Sequence, residues 1–170
     1  MSQIQGGGTV AASEIRIEDF QAAFGNVAAS VAIVTTLVAG RPHGTTVTAF
    51  TSLSANPPLL MVALDQRSDL LATMQSGSAF GVNVLSHEQA DIAMACARKG
   101  PDKLRDVRWK ERHDTVFIES AAAWFACAVE SIAAGGDHMI VVGAIADVVT
   151  SGAAPLVYHR RQFTTAQSAA

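Results

Sequence analysis

Apolar residues recur at helical spacing at Ile17, Phe20, Ala23, Phe24 and Val27, which predicts an amphipathic helix near the start of the chain. Beyond it the pattern changes. Val31 to Val38 (VAIVTTLV) is a β-branched run and reads as a strand, closed by the turn residues Ala39-Gly40-Arg41-Pro42. An extended segment restarts over Gly44 to Ser54 and is interrupted at Asn56-Pro57-Pro58, because proline lacks an N–H donor and biases its predecessor to extended geometry. Leu59 to Leu64 (LLMVAL) has the composition of a buried strand. Ser68 is expected to cap a short helix that carries Leu70, Leu71 and Met74 and ends at Gly77. Ala79 to Leu85 reads as a strand. Ser86 then opens a second helix, with Gln89 completing a capping box and Gly100-Pro101 stopping the helix near Lys99. The polar stretch Asp102 to Asp114 is expected to be a surface loop with a helical turn. Strands follow around Val116 to Glu119, Trp124 to Ile132 and His138 to Val149, with a last extended piece over Leu156 to Phe163. Strands dominate, and the helices are too few and too irregularly placed for a doubly wound parallel sheet. The expected fold is mainly β: a closed or nearly closed antiparallel barrel with peripheral helices.

The 170 residues suit a single domain, expected over residues 14–163, between a Gly-, Ser- and Ala-rich flexible segment (1–13) and a flexible tail (164–170). With 49% hydrophobic and 16% charged residues, the chain is too apolar to be disordered. A net charge of -3 argues against a nucleic-acid partner, whose phosphates call for clustered Lys and Arg. The opening MSQIQGGGTVAAS lacks the basic start and apolar stretch of an export signal, and the longest apolar run, Met139 to Ala146, is far below the ~18 residues of a membrane span. A cytoplasmic protein with no membrane contact is expected. Cys96 and Cys127 each lie in an apolar run without the spacing of a zinc site, so no metal site is expected and both thiols are expected to be buried.

Two segments carry candidate chemistry. Thr45 to Ser54 (TTVTAFTSLS) has six hydroxyl residues in ten. On a strand Thr46 and Thr48 share one face, and hydroxyls beside free backbone N–H groups can hold a phosphate or the polar edge of a heterocycle. The same residues are equally explained by the strand preference of Thr and the turn preference of Ser. The second segment is Gly135-Gly136-Asp137-His138, where glycines allow close approach to the backbone and an imidazole can stack, donate or accept; an ordinary hairpin turn has the same composition. Dinucleotide-binding Gly-x-Gly-x-x-Gly, Walker and Gly-x-Ser-x-Gly patterns are absent, so a hydrolytic triad built on Asp137 and His138 has no nucleophile elbow.

The string TVTAFTSLSANPPLLMVAL (Thr46 to Leu64) resembles the signature of the flavin reductase-like family: Thr-Ala, then Ser-x-Ser, then two prolines, then an apolar strand. The likeness continues through AFGVNVLSHEQ (Ala79 to Gln89), the GDH of Gly136 to His138, and PLVYHRRQF (Pro155 to Phe163), four pieces in order over Phe24 to Phe163. One departure stands out. Where the family often has Lys-Phe near a Trp, this chain has DKLRDVRWK, with Leu104 in the aromatic position.

The resemblance implies a split β-barrel of the FMN-binding type, a homodimer that reduces FMN or FAD with NADH or NADPH and supplies reduced flavin to a partner monooxygenase. It implies that Thr46, Thr48, Ser52 and Ser54, with the backbone of Val47, Ala49 and Leu53, hold the flavin ring edge, ribityl chain and phosphate. Leu64, Asp65 and Ser68 extend that site, Ser86 is a phosphate or ribityl contact, and Asn83 approaches the same pocket. His138 meets the nicotinamide, with Tyr158 and Arg160 as weaker candidates for that role. A 2′-phosphate pocket needs a basic residue near the ribose, and none is placed by the sequence, which favours NADH over NADPH. A non-catalytic flavin-binding module and a single-component flavin oxidoreductase acting on an organic substrate are the alternative readings.

Overall fold

A computed structural model describes residues 15–166. The expected flexible segment 1–13 lies outside the described residues. So does 167–170, whereas Thr164 and Thr165, expected in the tail, belong to the last strand.

The described residues are mainly β with two α-helices, and all strand pairs among them are antiparallel. Helix α1 (Ile17–Gly25) leads into β1 (Ala29–Ser30), β2 (Ala32–Val38), β3 (Arg41–Val47), β4 (Phe50–Ala55) and β5 (Pro58–Asp65). Next come β6 (Ala79–Val84), α2 (Ala90–Ala97), β7 (Trp109–Arg112), β8 (Thr115–Ile118), β9 (Ala123–Gly135) and β10 (His138–Thr150). Strands β11 (Leu156–His159) and β12 (Gln162–Thr165) complete it. Seven strands form one sheet in the order β3-β2-β6-β9-β10-β5-β4; β1, β11 and β12 form a second, and β7 and β8 a hairpin. The ladder does not close on itself. Strands β3 and β4 are its two edges, although only Thr48 and Ala49 separate them in sequence. At that seam the Ala63 N–H donates to the Ala49 carbonyl at 2.8 Å.

Strand alternation divides the core in two. Ala32 and Val34 join Val62, Leu64, Phe80, Val82 and Val141 in one cluster, while Val31 and Ile33 join Leu85, Ala93, Cys96, Leu104, Val116 and Ile118 in another. Because both faces of β2 are covered, its start reads as a continuous apolar run. Leu104, the departure from the family pattern, is 1% exposed and fills core within the second cluster.

A second device ties the sheet to β8. The Asn83 side-chain amide donates to the Val116 carbonyl at 3.1 Å, and its Oδ1 accepts from the Ile118 N–H at 2.7 Å. The Trp124 indole N–H reaches the same Val116 carbonyl at 3.2 Å.

Some local expectations are corrected. Between Ser68 and Gly77 only a single 3-10 turn forms, Leu71–Thr73, and Leu70 and Met74 are pulled into the first core cluster. The segment after Asp102 contains β7, paired with β8. Helix α1 forms as expected, but its apolar residues do not pack against the described residues: Phe20 is 48% and Phe24 61% exposed.

Both cysteines are free and buried. Burial pushes the Cys96 thiol up to about 11 and the Cys127 thiol up to about 12. A thiol reagent at pH 8 therefore meets, at Cys96, roughly one thiolate in a thousand, further shielded by packing. Native protein is expected to remain unlabelled by a maleimide over hours while denatured protein takes two labels, as read by mass spectrometry; rapid native labelling would contradict the packing.

Candidate functional site

The seam between β3 and β4 opens a cavity of about 230 Å³, lined by the Thr45–Ala49 stretch, by Ala63, Leu64 and Asp65 of β5, by Ser68 and by His138. An edge strand presents backbone N–H and C=O groups without ladder partners. Here those groups alternate with side chains in a useful way. Val47 and Leu64 line the cavity although both are buried in the first core cluster; Thr48 and Ala49 are exposed. The Thr46 hydroxyl is already engaged, donating to the Ala93 carbonyl of α2 at 2.7 Å. Thr46 thus anchors the strand to the helix, while its backbone still lines the cavity.

His138 is the first residue of β10, opposite Asp65 of β5 and Gly135 of β9. The turn before it is held from both sides. Gly136 has a φ of +74°, a left-handed conformation that glycine adopts without strain. The Gln66 side chain donates to the Gly136 carbonyl at 2.9 Å, and the Gln66 N–H donates to the Asp137 carbonyl at 3.2 Å. The imidazole Nδ1 lies 2.7 Å from Asp137 Oδ1, which leaves Nε2 for a ligand. That contact holds the Asp137 carboxyl below its usual range.

Asp65 is gripped by Arg67 through Nη2 at 2.9 Å and through the backbone N–H at 2.8 Å. The Arg67 guanidinium, the Arg67 N–H and the nearby His138 together hold the Asp65 carboxyl far below the ordinary carboxylate range. Asp65 is an anion at any neutral pH, and Arg67 is its counterion.

The structure brings Thr46, Val47, Thr48, Ala49, Leu64, Asp65, Ser68 and His138 to one cavity. Ser52, Leu53 and Ser54 continue past it on the edge strand β4, where a bulge falls between Ser52 and Ser54. Four other expected residues stand elsewhere. Asn83 is wholly buried, with its amide committed to backbone carbonyls and the Ile118 N–H. Ser86 is 3% exposed, and its N–H donates to the Gln89 side chain at 3.0 Å; α2 begins only at Ala90, so Ser86 is not at a helix start. Tyr158 pairs with Ala29 in the small sheet, and Arg160 reaches Asn26 Oδ1 at 3.0 Å at the end of α1.

Sequence reasoning placed Thr45 in the hydroxyl-rich segment without a role of its own, and missed Ala63 and the cationic residues that line an adjoining cavity, Arg67, Arg98, Lys99 and Lys103. The pair Arg98-Lys99 at a helix stop was a legible signal for the last group.

The donor set suits a planar, uncharged heterocycle carrying a polar chain. It offers unpaired backbone amides, the hydroxyls of Thr45, Thr48 and Ser68, and an imidazole, with no lysine or arginine in the smaller cavity. Among the described residues no cluster of three or more His, Cys, Asp or Glu side chains is arranged to hold a metal ion, and no helix is long and apolar enough to cross a membrane.

Residues 24–167 match the family model described as "Flavin reductase like domain". A probable flavin reductase of Rhizobium meliloti is 39% identical over 145 residues, covering 84% of this chain and 47% of the relative. The reductase component of the flavin-dependent trigonelline monooxygenase of Acinetobacter baylyi is 33% identical over 156 residues, covering 90% of this chain and 50% of its own length. The chain thus spans about half the length of these two curated relatives. Among solved structures, the flavin reductase PheA2 in its native state superposes with a TM-score of 0.83 at 28% identity, covering 91% of this chain and 100% of the other.

Proposed function

The chain belongs to the flavin reductase like domain family, and from that premise we propose that it is an NAD(P)H:flavin oxidoreductase that reduces FMN or FAD and supplies the reduced flavin to a monooxygenase component. The observation that carries this reading is the cavity at the β3/β4 seam, where unpaired amides and hydroxyls face an imidazole. A flavin bound there supplies a ring that accepts hydride from a reduced nicotinamide. The backbone at Val47 and Ala49 and the hydroxyl of Thr48 hold the ring edge, Ser68 takes the ribityl phosphate end, and Ser52, Leu53 and Ser54 extend the cradle along β4. His138 positions the nicotinamide, and Asp137 fixes the orientation of its ring. Hydride transfer needs orientation more than an acid or a base, so a site without a catalytic dyad fits the reaction. Asn83, Ser86, Tyr158 and Arg160 have no ligand contact in this reading.

The open seven-stranded sheet is read as the split β-barrel. The exposed apolar residues Ile17, Phe20 and Phe24 of α1, with Val27 just beyond it, support a homodimer that covers them.

The test is direct. Purified protein with NADH and excess free flavin is expected to oxidise NADH steadily, at a rate that saturates with added FMN or FAD. A single stoichiometric event, or none, would overturn the reductase reading and favour a flavin-binding module. Within the same assay, His138→Ala is expected to raise the apparent KM for NADH about tenfold while flavin affinity changes less than about twofold. An unchanged NADH dependence would remove His138 from the site.

A further inference from the structure

Beside the flavin cavity lies a second, larger one of about 640 Å³, and the two share Thr45, Asp65 and Ser68. Their charge differs sharply. Arg67, Arg98, Lys99 and Lys103 line the larger cavity, together with Asp65, Asp69 and Asp102. Asp65 is held by Arg67 at 2.9 Å, and Asp102 by Arg105, from outside the cavity lining, at 3.3 Å. Three cations then face Asp69 alone. Arg98 and Lys99, exposed residues just beyond α2, have no ion-pair partner among the described residues, and the Lys103 ammonium sits at the α2 end through the Cys96 carbonyl at 3.3 Å. Cations on flexible stems around a concave opening are suited to phosphate oxygens.

The junction gives the cluster its meaning. Resting on the proposed function, the ribityl phosphate ends at Ser68, and Ser68 belongs to both cavities. Any group attached beyond that phosphate enters the larger cavity, where the uncompensated cations are. We propose that the Arg98–Lys99–Lys103 cluster receives the adenylate phosphate of FAD, so that this chain prefers FAD to FMN.

Titration of flavin-free protein with FAD and with FMN, followed by flavin fluorescence at fixed ionic strength, tests this. FAD is expected to bind at least about tenfold more tightly than FMN. The doubly substituted variant Arg98→Ala, Lys99→Ala is expected to lose that advantage, with the FMN dissociation constant moving less than about twofold; both side chains are exposed, and an unchanged melting temperature confirms the fold. Equal affinities in the unsubstituted protein would overturn the preference. An equal fall in FMN affinity would overturn it by assigning the cluster to the first phosphate. An FAD advantage that survives in the doubly substituted variant would overturn it by detaching the cluster from the flavin. Binding of neither flavin would bring down the reading of the cavity itself, an outcome distinct from FMN and FAD binding alike.

Discussion

Ala63→Trp is expected to abolish flavin-dependent NADH oxidation while leaving the protein folded. Along β5 the side chains of Val62 and Leu64 point into the core, and Ala63 between them faces the cavity. An indole there fills much of a space of about 230 Å³. The backbone is not disturbed, because the Ala63 N–H bond to the Ala49 carbonyl and the pairing with Ile140 need no side chain. Flavin affinity is expected to fall at least about 100-fold, which corresponds to about 2.7 kcal/mol. Fluorescence titration and steady-state assay read the loss, and circular dichroism reports the fold. Wild-type flavin kinetics in this variant would show that the cavity at the seam is not where flavin binds.

Asn83→Leu is expected to produce the opposite pattern: a large loss of stability and little change in ligand affinity. Asn83 is wholly buried and bonds two backbone partners of β8, the Val116 carbonyl and the Ile118 N–H. Leucine is similar in size but satisfies neither. A buried N–H left without a partner costs about 1–3 kcal/mol, and the Val116 carbonyl keeps only the bonds from Trp124 and Thr35. A loss of about 3 kcal/mol, or a melting temperature lower by about 10 °C, is expected. Flavin affinity below the transition should stay within about twofold of wild type. A stable variant with impaired flavin binding would instead return Asn83 to the ligand site.

The contrast between these two residues illustrates what the sequence reveals. The β-branched run of β2 and the apolar stretches of β5, β6, β9 and β10 were legible because burial on one or both faces leaves a composition signature. The Thr45 to Ser54 segment was legible as a candidate, but its individual roles were not. Whether a hydroxyl faces a ligand or another element depends on packing, and α2 captures Thr46 through Ala93. Asn83 sits in a motif with polar chemistry, but its partners lie on β8, more than thirty residues away.

Turns hid other elements. The β7–β8 hairpin turns through His113 and Asp114, with φ of 51° and 54°, and the β11–β12 hairpin through Arg160 and Arg161, with φ of 49° and 62°. Hairpin turns of that hand normally announce themselves by Asn-Gly or Asp-Gly. Without those residues the segments read as a loop and as one extended piece. The capping box at Ser86 was half visible. Gln89 does reach back to the Ser86 N–H, but its amide also spans to the Glu119 carbonyl at 2.8 Å, and this tertiary bond accompanies a later helix start.

The claim on which the account rests is that the seam between the two sheet edges binds the isoalloxazine ring. A crystal structure of this chain with flavin tests it most directly. The account predicts the ring in contact with the backbone of residues 46–49 and with Ala63, with the phosphate end at Ser68 and His138 beside the ring face. Flavin ordered elsewhere on the protein, with the seam vacant, would contradict it.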